Sequence, residues 1–177
     1  VHPSPTLFAA AGWQSPVSGV VKVEAEIQDA HPECGNGVEW WVLHRTFDGS
    51  RILKTARLDG AGQGSMESRA IAVKKGEVIA LVVGPKDGSH ACDLTRVDFR
   101  LAETGAEQRS WDLASDVSDD ILSSNPQDDR YGHHAVWHFY RGEMSKLKEI
   151  EKGSAGVPAE SVLAEWQQET NPDRKVD

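Results

Sequence analysis

A strict alternation of apolar and polar residues in two separate segments constrains the fold of this chain most strongly. The segments are residues 19–27 and residues 94–101. Every second position in them is apolar or small: Val21, Val23, Ala25 and Ile27 in the first, and Thr95, Val97, Phe99 and Leu101 in the second. In a β-strand, side chains with a repeat of two residues lie alternately on opposite faces. Each segment is therefore predicted to be a strand with one face in a core and the other in solvent.

The rest of the first 104 residues supports the same kind of fold. Residues 77–83 (EVIALVV) are apolar on both faces, which predicts a central strand covered on both sides. Turns rich in glycine and charged residues separate the candidate strands at residues 48–50, 59–65, 74–77 and 84–90. Short strands at regular spacing predict an all-β fold, an antiparallel β-sandwich.

Two parts of the chain differ in character. We expect residues 1–143 to form the β-sandwich domain and residues 144–177 to form a linker and a short C-terminal helix. The linker is predicted at residues 146–156, which are charged and contain glycine, and the helix at residues 157–170. The apolar residues at helical spacing in that helix are Val162, Leu163 and Trp166. The chain reads as a fragment of a larger polypeptide, with its helix leading to a neighbouring domain.

The charge and hydropathy of the chain limit the classes of binding partner that we expect. The 177-residue chain has a formal net charge of −9, and no run of Lys or Arg is present. Nucleic acid and anionic membranes are therefore poor partners. No apolar stretch approaches the roughly 20 residues that span a bilayer, so membrane insertion is not expected. The two cysteines lie outside any C-x-x-C-H pattern, so no covalent haem is expected in this fragment.

Four motifs follow one another along the chain: GWQSPVSGVVKV, CGNGVEWWV, VKKGEVIALVVGP and DLTRVDFRL. Their order resembles a jelly-roll, carbohydrate-binding-module-like domain of large secreted multidomain proteins of planctomycete type, whose hosts also carry cytochrome-c-like domains. The resemblance covers roughly residues 2–143. It implies a secreted or periplasmic location, a polysaccharide or oligosaccharide ligand, and contacts with neighbouring domains of the same chain.

The two cysteines admit three interpretations. Cys34 and Cys92 each lie in a turn just before a predicted strand, so a disulfide can join the two turns across a long closed loop. We expect this disulfide. Two free buried thiols are one alternative, and a zinc site made of His31, Cys34, His90 and Cys92 is the other.

Two adjacent tryptophans suggest a ligand-binding face. Trp40 and Trp41 cannot both face one core in a regular strand, so one of them points away from it. An exposed Trp41 flanked by Glu39 and Arg45 has the chemistry of a sugar site, because its ring stacks on the apolar face of a pyranose while the charged groups bond the hydroxyls. The alternative is that a loop or the strand at residues 133–143 covers Trp41.

Acidic residues near the cysteine turns suggest a structural calcium ion. Asp93 is the first candidate ligand, with Asp29 and Glu33 from the turn that contains Cys34. Calcium is also what the resemblance to jelly-roll binding modules implies. The alternative is that these side chains cap turns.

No catalytic motif is present. The chain lacks a nucleophile elbow, a phosphate-binding loop and an H-E-x-x-H sequence. His134 and His138 lie about 13 Å apart on an extended strand, which favours hydrogen-bonded packing over a shared metal ion. We therefore expect a non-catalytic polysaccharide-binding module. The alternatives are a structural spacer or protein–protein interaction domain without ligand and, less favoured, a polysaccharide-degrading enzyme domain.

Overall fold

The computed structural model describes residues 1–31, 33–117, 121 and 124–151 of the chain. Its strands are β1 (Leu7–Gln14), β2 (Gly19–Asp29), β3 (Val38–Thr46), β4 (Gly49–Leu58), β5 (Gln63–Val73), β6 (Val78–Pro85), β7 (Thr95–Glu103), β8 (Ser110–Asp112) and β9 (Trp137–Glu143). Its α-helices are α1 (Leu113–Asp116) and α2 (Met144–Glu151). Within these ranges, neither helix has the length and apolar character needed to cross a membrane.

The strands form two antiparallel sheets. One has five strands in the order β4-β3-β6-β1-β9, and the other has four in the order β5-β2-β7-β8. Apolar side chains from both sheets meet in one buried core. The predicted all-β antiparallel sandwich is confirmed.

The core follows the alternation seen in the sequence. The inward side chains of β2 are Val21, Val23, Ala25 and Ile27, each at most 1 % exposed. The polar residues between them are exposed, because the pleat turns them to the outer face of the four-stranded sheet. Strand β6 lies between β3 and β1 and is buried along its whole length, as its continuous apolar run predicts.

The five-stranded sheet carries a second apolar layer on its outer face. We call this layer the outer cluster; its buried members are Phe8, Ala10, Trp41, Leu43, Val78, Ala80, Val82 and Leu147. Leu147 belongs to α2, so this helix packs on the sheet. Trp40 lies in the core and Trp41 in the outer cluster, which confirms that the two adjacent rings face opposite ways.

Helix α2 corrects the predicted linker. Residues 146–151 were expected to belong to the linker, but they complete α2, in which Leu147 is part of the outer cluster and Met144 packs against it. The spacing of three residues puts both side chains on one side of the helix, which explains its docking. The rest of the predicted linker and the predicted helix at residues 157–170 lie outside the described residues, and the domain boundary stays a prediction.

Candidate functional site

The structure does not expose the predicted sugar-stacking ring. Trp41 is 1 % exposed, and its indole N–H donates a hydrogen bond to Glu151 Oε1 at 2.5 Å. Leu147 of α2 packs in the same cluster. The prediction that Trp41 forms an open stacking platform is therefore wrong. The cover also differs from the expected one, because it includes α2 as well as strands.

The two polar residues predicted beside Trp41 are also engaged. Glu39 is 7 % exposed and forms an ion pair with Arg57 on the neighbouring strand β4. Arg45 is half-buried near Tyr140. Burial lowers the pKa of the Arg45 guanidinium and raises the pKa of the Tyr140 hydroxyl, and each group partly offsets the shift of the other. The predicted face is thus part of the packed outer side of the sheet.

The predicted disulfide is confirmed. Cys34 and Cys92 are bonded, with their Cα atoms 5.6 Å apart and a sequence separation of 58. The bond joins the turn before β3 to the turn before β7. His31 lies beside it, with Nδ1 2.8 Å from Cys34 Sγ. His90 is not part of this group; its ring lies against His2, with the ring centroids 6.0 Å apart.

The predicted calcium ligands do not converge. Asp29 caps turns, because its two carboxylate oxygens accept hydrogen bonds from the backbone N–H groups of His31 and Ala61. Glu33 is exposed. In the part of the chain that the structure describes, Asp29, Glu33 and Asp93 form no three-ligand group. Calcium binding itself stays a prediction.

Asp93 is the unusual member of that set. It is 3 % exposed, and its Oδ1 accepts a hydrogen bond from the Gly37 N–H at 3.3 Å. Its Oδ2 is buried and finds no hydrogen-bond donor among the described residues. Burial raises the pKa of Asp93, although backbone N–H groups of Gly37 and Asn36 oppose the shift. A buried carboxylate with one unsatisfied oxygen favours protonation or a bound cation.

The histidines near β9 pack through hydrogen bonds, as expected. His133 Nδ1 lies 2.7 Å from Asp129 Oδ2, and His138 Nε2 lies 2.8 Å from the Ala135 carbonyl oxygen. Asp129 also accepts a hydrogen bond from the indole N–H of Trp111. Burial alone would raise the pKa of Asp129, but these hydrogen bonds outweigh it, and the pKa is lowered.

Sequence reasoning missed a cavity at one end of the sandwich, which we call the end cavity. It has a volume of 510 Å³ and lies between the β3–β4 hairpin, the end of β5 and the turn before β6. Its polar lining residues include His44, Asp48, Ser50, Arg51, Lys74 and Glu77. Two clefts on the outer face of the four-stranded sheet are smaller, at 250 Å³ and 280 Å³.

A buried histidine forms the floor of the end cavity. His44 is 1 % exposed, and its Nε2 lies 3.0 Å from Glu77 Oε2. Arg51 donates to His44 Nδ1 from Nε at 3.2 Å. Because a guanidinium only donates, Nδ1 is the acceptor and Nε2 carries the proton. Burial lowers the pKa of His44; the charge of Arg51 lowers it further, while Glu77 opposes the shift.

The hydrogen bonds of His44 determine what this side chain does at the floor of the end cavity. Both ring nitrogens of His44 are engaged, so neither is available to take a proton from a substrate. The ring instead holds Arg51 in place at the mouth of the cavity. The available sequence signal was a histidine at an inward position of β3, in line with Trp40 and Val42. Its partners come from other strands and turns, 7 and 33 residues away.

An exposed aromatic ring stands next to the end cavity. Phe47 is 67 % exposed at the tip of the β3–β4 hairpin, between Thr46 and Asp48, which both line the cavity. Its ring lies over Gly76, where an added Cβ would come within 3.3 Å of Phe47 Cζ. The chain therefore presents an apolar ring and several hydrogen-bonding groups at one end of the sandwich.

No family model, curated protein or solved structure matches this chain.

Proposed function

We propose that this domain is a non-catalytic carbohydrate-binding module whose site is the end cavity and the adjacent Phe47. The observation that carries the proposal is the pairing of a 510 Å³ concavity lined by polar residues with a neighbouring phenylalanine that is 67 % exposed. A volume of this size lies within the range of about 300–1,000 Å³ that is common for small-ligand sites.

The chemistry of the lining fits a sugar. A pyranose offers an apolar C–H face and a ring of hydroxyl groups, so it needs an aromatic surface next to donors and acceptors. Phe47 supplies the ring. Arg51 and Lys74 supply donors, and the Asp48 carboxylate supplies acceptors.

The buried pair of His44 and Glu77 below the end cavity keeps the Arg51 side chain in a fixed position. His44 is held by Glu77, and Glu77 Oε2 also accepts the backbone N–H of Lys74 at 3.0 Å. Arg51 is in turn held by His44. A guanidinium fixed before the ligand arrives loses less entropy on binding, which increases affinity.

The compartment is part of the proposal. Disulfides persist in oxidising surroundings such as the periplasm and the extracellular space. The Cys34–Cys92 bond therefore fits the secreted or periplasmic location that the resemblance implies. In that setting the module holds a polysaccharide close to neighbouring domains of the same chain.

A second candidate function is that of a structural module that docks its neighbours. One observation favours this function: α2 packs on the outer cluster and covers Trp41. The five-stranded sheet therefore already serves as a docking face for the segment that follows β9. The two functions use different surfaces. A variant of the end cavity therefore separates them.

The experiment is a glycan array followed by titration calorimetry with the glycans that bind. We expect Phe47→Ala to weaken binding at least about tenfold, which corresponds to about 1.4 kcal/mol. Tyr131→Ala is the matched control, because Tyr131 is another aromatic residue that is 42 % exposed and lies outside the end cavity. Absence of binding across a broad array, or equal affinities of Phe47→Ala and the parent protein, would refute the proposal.

A further inference from the structure

One group in the described part of the chain brings three metal-ligand side chains together. It consists of His31, Cys34 and Cys92, whose ligand atoms all lie within 4.8 Å of one another. We propose that the reduced form of this group binds one Zn²⁺ ion through His31 Nδ1 and the two cysteine sulfurs, and that formation of the Cys34–Cys92 disulfide excludes the ion. This inference does not depend on carbohydrate binding.

The distances suit zinc after a small side-chain rotation. Zinc takes Cys sulfur at about 2.3 Å and His nitrogen at about 2.0–2.1 Å in tetrahedral geometry. Ligand atoms around such an ion are therefore about 3.5–3.8 Å apart, within the 4.8 Å span observed. His31 Nδ1 is already turned toward Cys34 Sγ, at 2.8 Å.

Backbone contacts hold the two turns in place without the disulfide. Asp29 Oδ1 accepts the His31 N–H at 2.8 Å, and Asp29 Oδ2 accepts the Ala61 N–H at 2.7 Å. The Ala30 N–H donates to the Leu94 carbonyl oxygen at 2.8 Å, which ties the first turn to the second. These contacts keep Cys34 and Cys92 close after the sulfur–sulfur bond is broken.

The ligand set selects the class of metal. Two thiolates and one imidazole favour zinc over the oxygen-binding ions calcium and magnesium. Two thiolate charges balance the charge of one divalent ion. His31 is exposed and both cysteines are half-buried, so the ion can enter from solvent and a water molecule can complete the tetrahedron.

The chemistry balances as two separate steps. A dithiol reductant transfers two electrons and two protons to the disulfide, giving the thiols of Cys34 and Cys92, and itself becomes a disulfide. The thiols then lose one proton each as Zn²⁺ binds. In the reverse direction a disulfide oxidant accepts two electrons from the two thiolates and two protons from solvent and becomes a dithiol, while the Cys34–Cys92 bond forms and the ion is released.

The test is a titration of the reduced, metal-free protein with Co²⁺, a spectroscopic substitute for Zn²⁺, in a non-coordinating phosphine reductant. We expect one equivalent of Co²⁺ to give a thiolate-to-metal absorption band that Zn²⁺ abolishes, and the oxidised protein to give none. His31→Ala should weaken the binding at least about tenfold, because loss of even an outer-shell partner costs that much. His90→Ala, a histidine two residues before Cys92 and outside the group, is the matched control.

The Co²⁺ titration overturns the proposal if the reduced protein gives no absorption band, if the oxidised protein binds equally well, or if His31→Ala and His90→Ala lose equal affinity. Circular dichroism checks the fold of the reduced chain. A reduced chain that is folded only in the presence of Zn²⁺ supports the site, and one that is unfolded with and without Zn²⁺ contradicts it.

Discussion

Replacing the buried leucine of α2 tests whether this helix covers the outer face of the five-stranded sheet. Leu147 is 1 % exposed and is the one buried residue within α2. Leu→Ala substitutions at such sites cost about 2–5 kcal/mol, the sum of lost transfer free energy and the cavity left behind. We expect the lower end of this range for Leu147→Ala.

We expect a loss of free energy of unfolding at the lower end of this range because α2 lies on the outside of the five-stranded sheet. An isolated helix of eight residues is unstable in water, so α2 depends on its contacts with the sheet. Once those contacts are weakened, α2 can detach while the core between the sheets remains folded. The loss in global stability then cannot exceed the docking free energy of α2.

The assay follows from the contacts of Trp41. Its ring is covered in the parent protein, and its indole N–H is bonded to Glu151 at the end of α2. Detachment of α2 exposes the ring, so we expect stronger acrylamide quenching of tryptophan fluorescence in Leu147→Ala. The other described tryptophans, at 0–1 % exposure, remain protected in the core.

Lys148→Ala is the matched control for this experiment. Lys148 is the next residue of α2 and is exposed, so its removal should change neither quenching nor the free energy of unfolding by more than about 0.5 kcal/mol. The reasoning fails if Leu147→Ala is quenched no more than Lys148→Ala. That result would mean that α2 contributes nothing to the cover of Trp41.

Three further predictions concern stability. The double substitution Cys34→Ser and Cys92→Ser should lower the free energy of unfolding in urea by about 4 kcal/mol, because it opens a loop spanning 58 residues; an unchanged midpoint would contradict this. The pKa of His44 is lowered in the folded protein, so the unfolded chain binds the proton more readily. The contribution of His44 to the free energy of unfolding should be complete above about pH 6.5 and be lost as the pH drops through the folded pKa. His44→Gln should lack this pH dependence, and a pH profile identical to that of the parent protein would refute the prediction. The pKa of Asp93 is raised in the folded protein, so the free energy of unfolding should fall as the pH rises above about 3.9 and through the folded pKa. Asp93→Asn should therefore be more stable than the parent protein at pH 7 in the presence of a chelator, and a less stable variant would contradict this. If added Ca²⁺ stabilises the parent protein but not the variant, that result supports the predicted calcium ion.

Much of the fold was predictable because its information is local. The alternation in β2 needs only the pleat of a strand to place Val21 inward and Glu24 outward. The continuous apolar run of β6 likewise needs only a central position in a sheet. The disulfide was predictable because both cysteines lie in turns before strands, and turns at one end of a sandwich come close together.

The candidate site was predicted less well because its contacts join distant parts of the chain. The period-two pattern showed that Trp41 points away from Trp40, but not that residues about 100 positions later cover it; Glu151 is 110 residues away. Half of the residues of α2 are charged, which favoured a linker, and only the docking of this segment on the outer cluster makes a helix stable there.

The amino-acid pattern alone therefore predicts the most regular strands, the direction of their side chains and the two cysteines that can meet. The packing of sheets and helices settles which of those side chains remain open to a ligand. Trp41 has the chemistry of a sugar platform but lies under α2, whereas Phe47 and Arg51 lie at the open end of the sandwich. The reason is physical: side-chain direction depends on neighbouring residues, but exposure depends on every surface that the folded chain brings nearby.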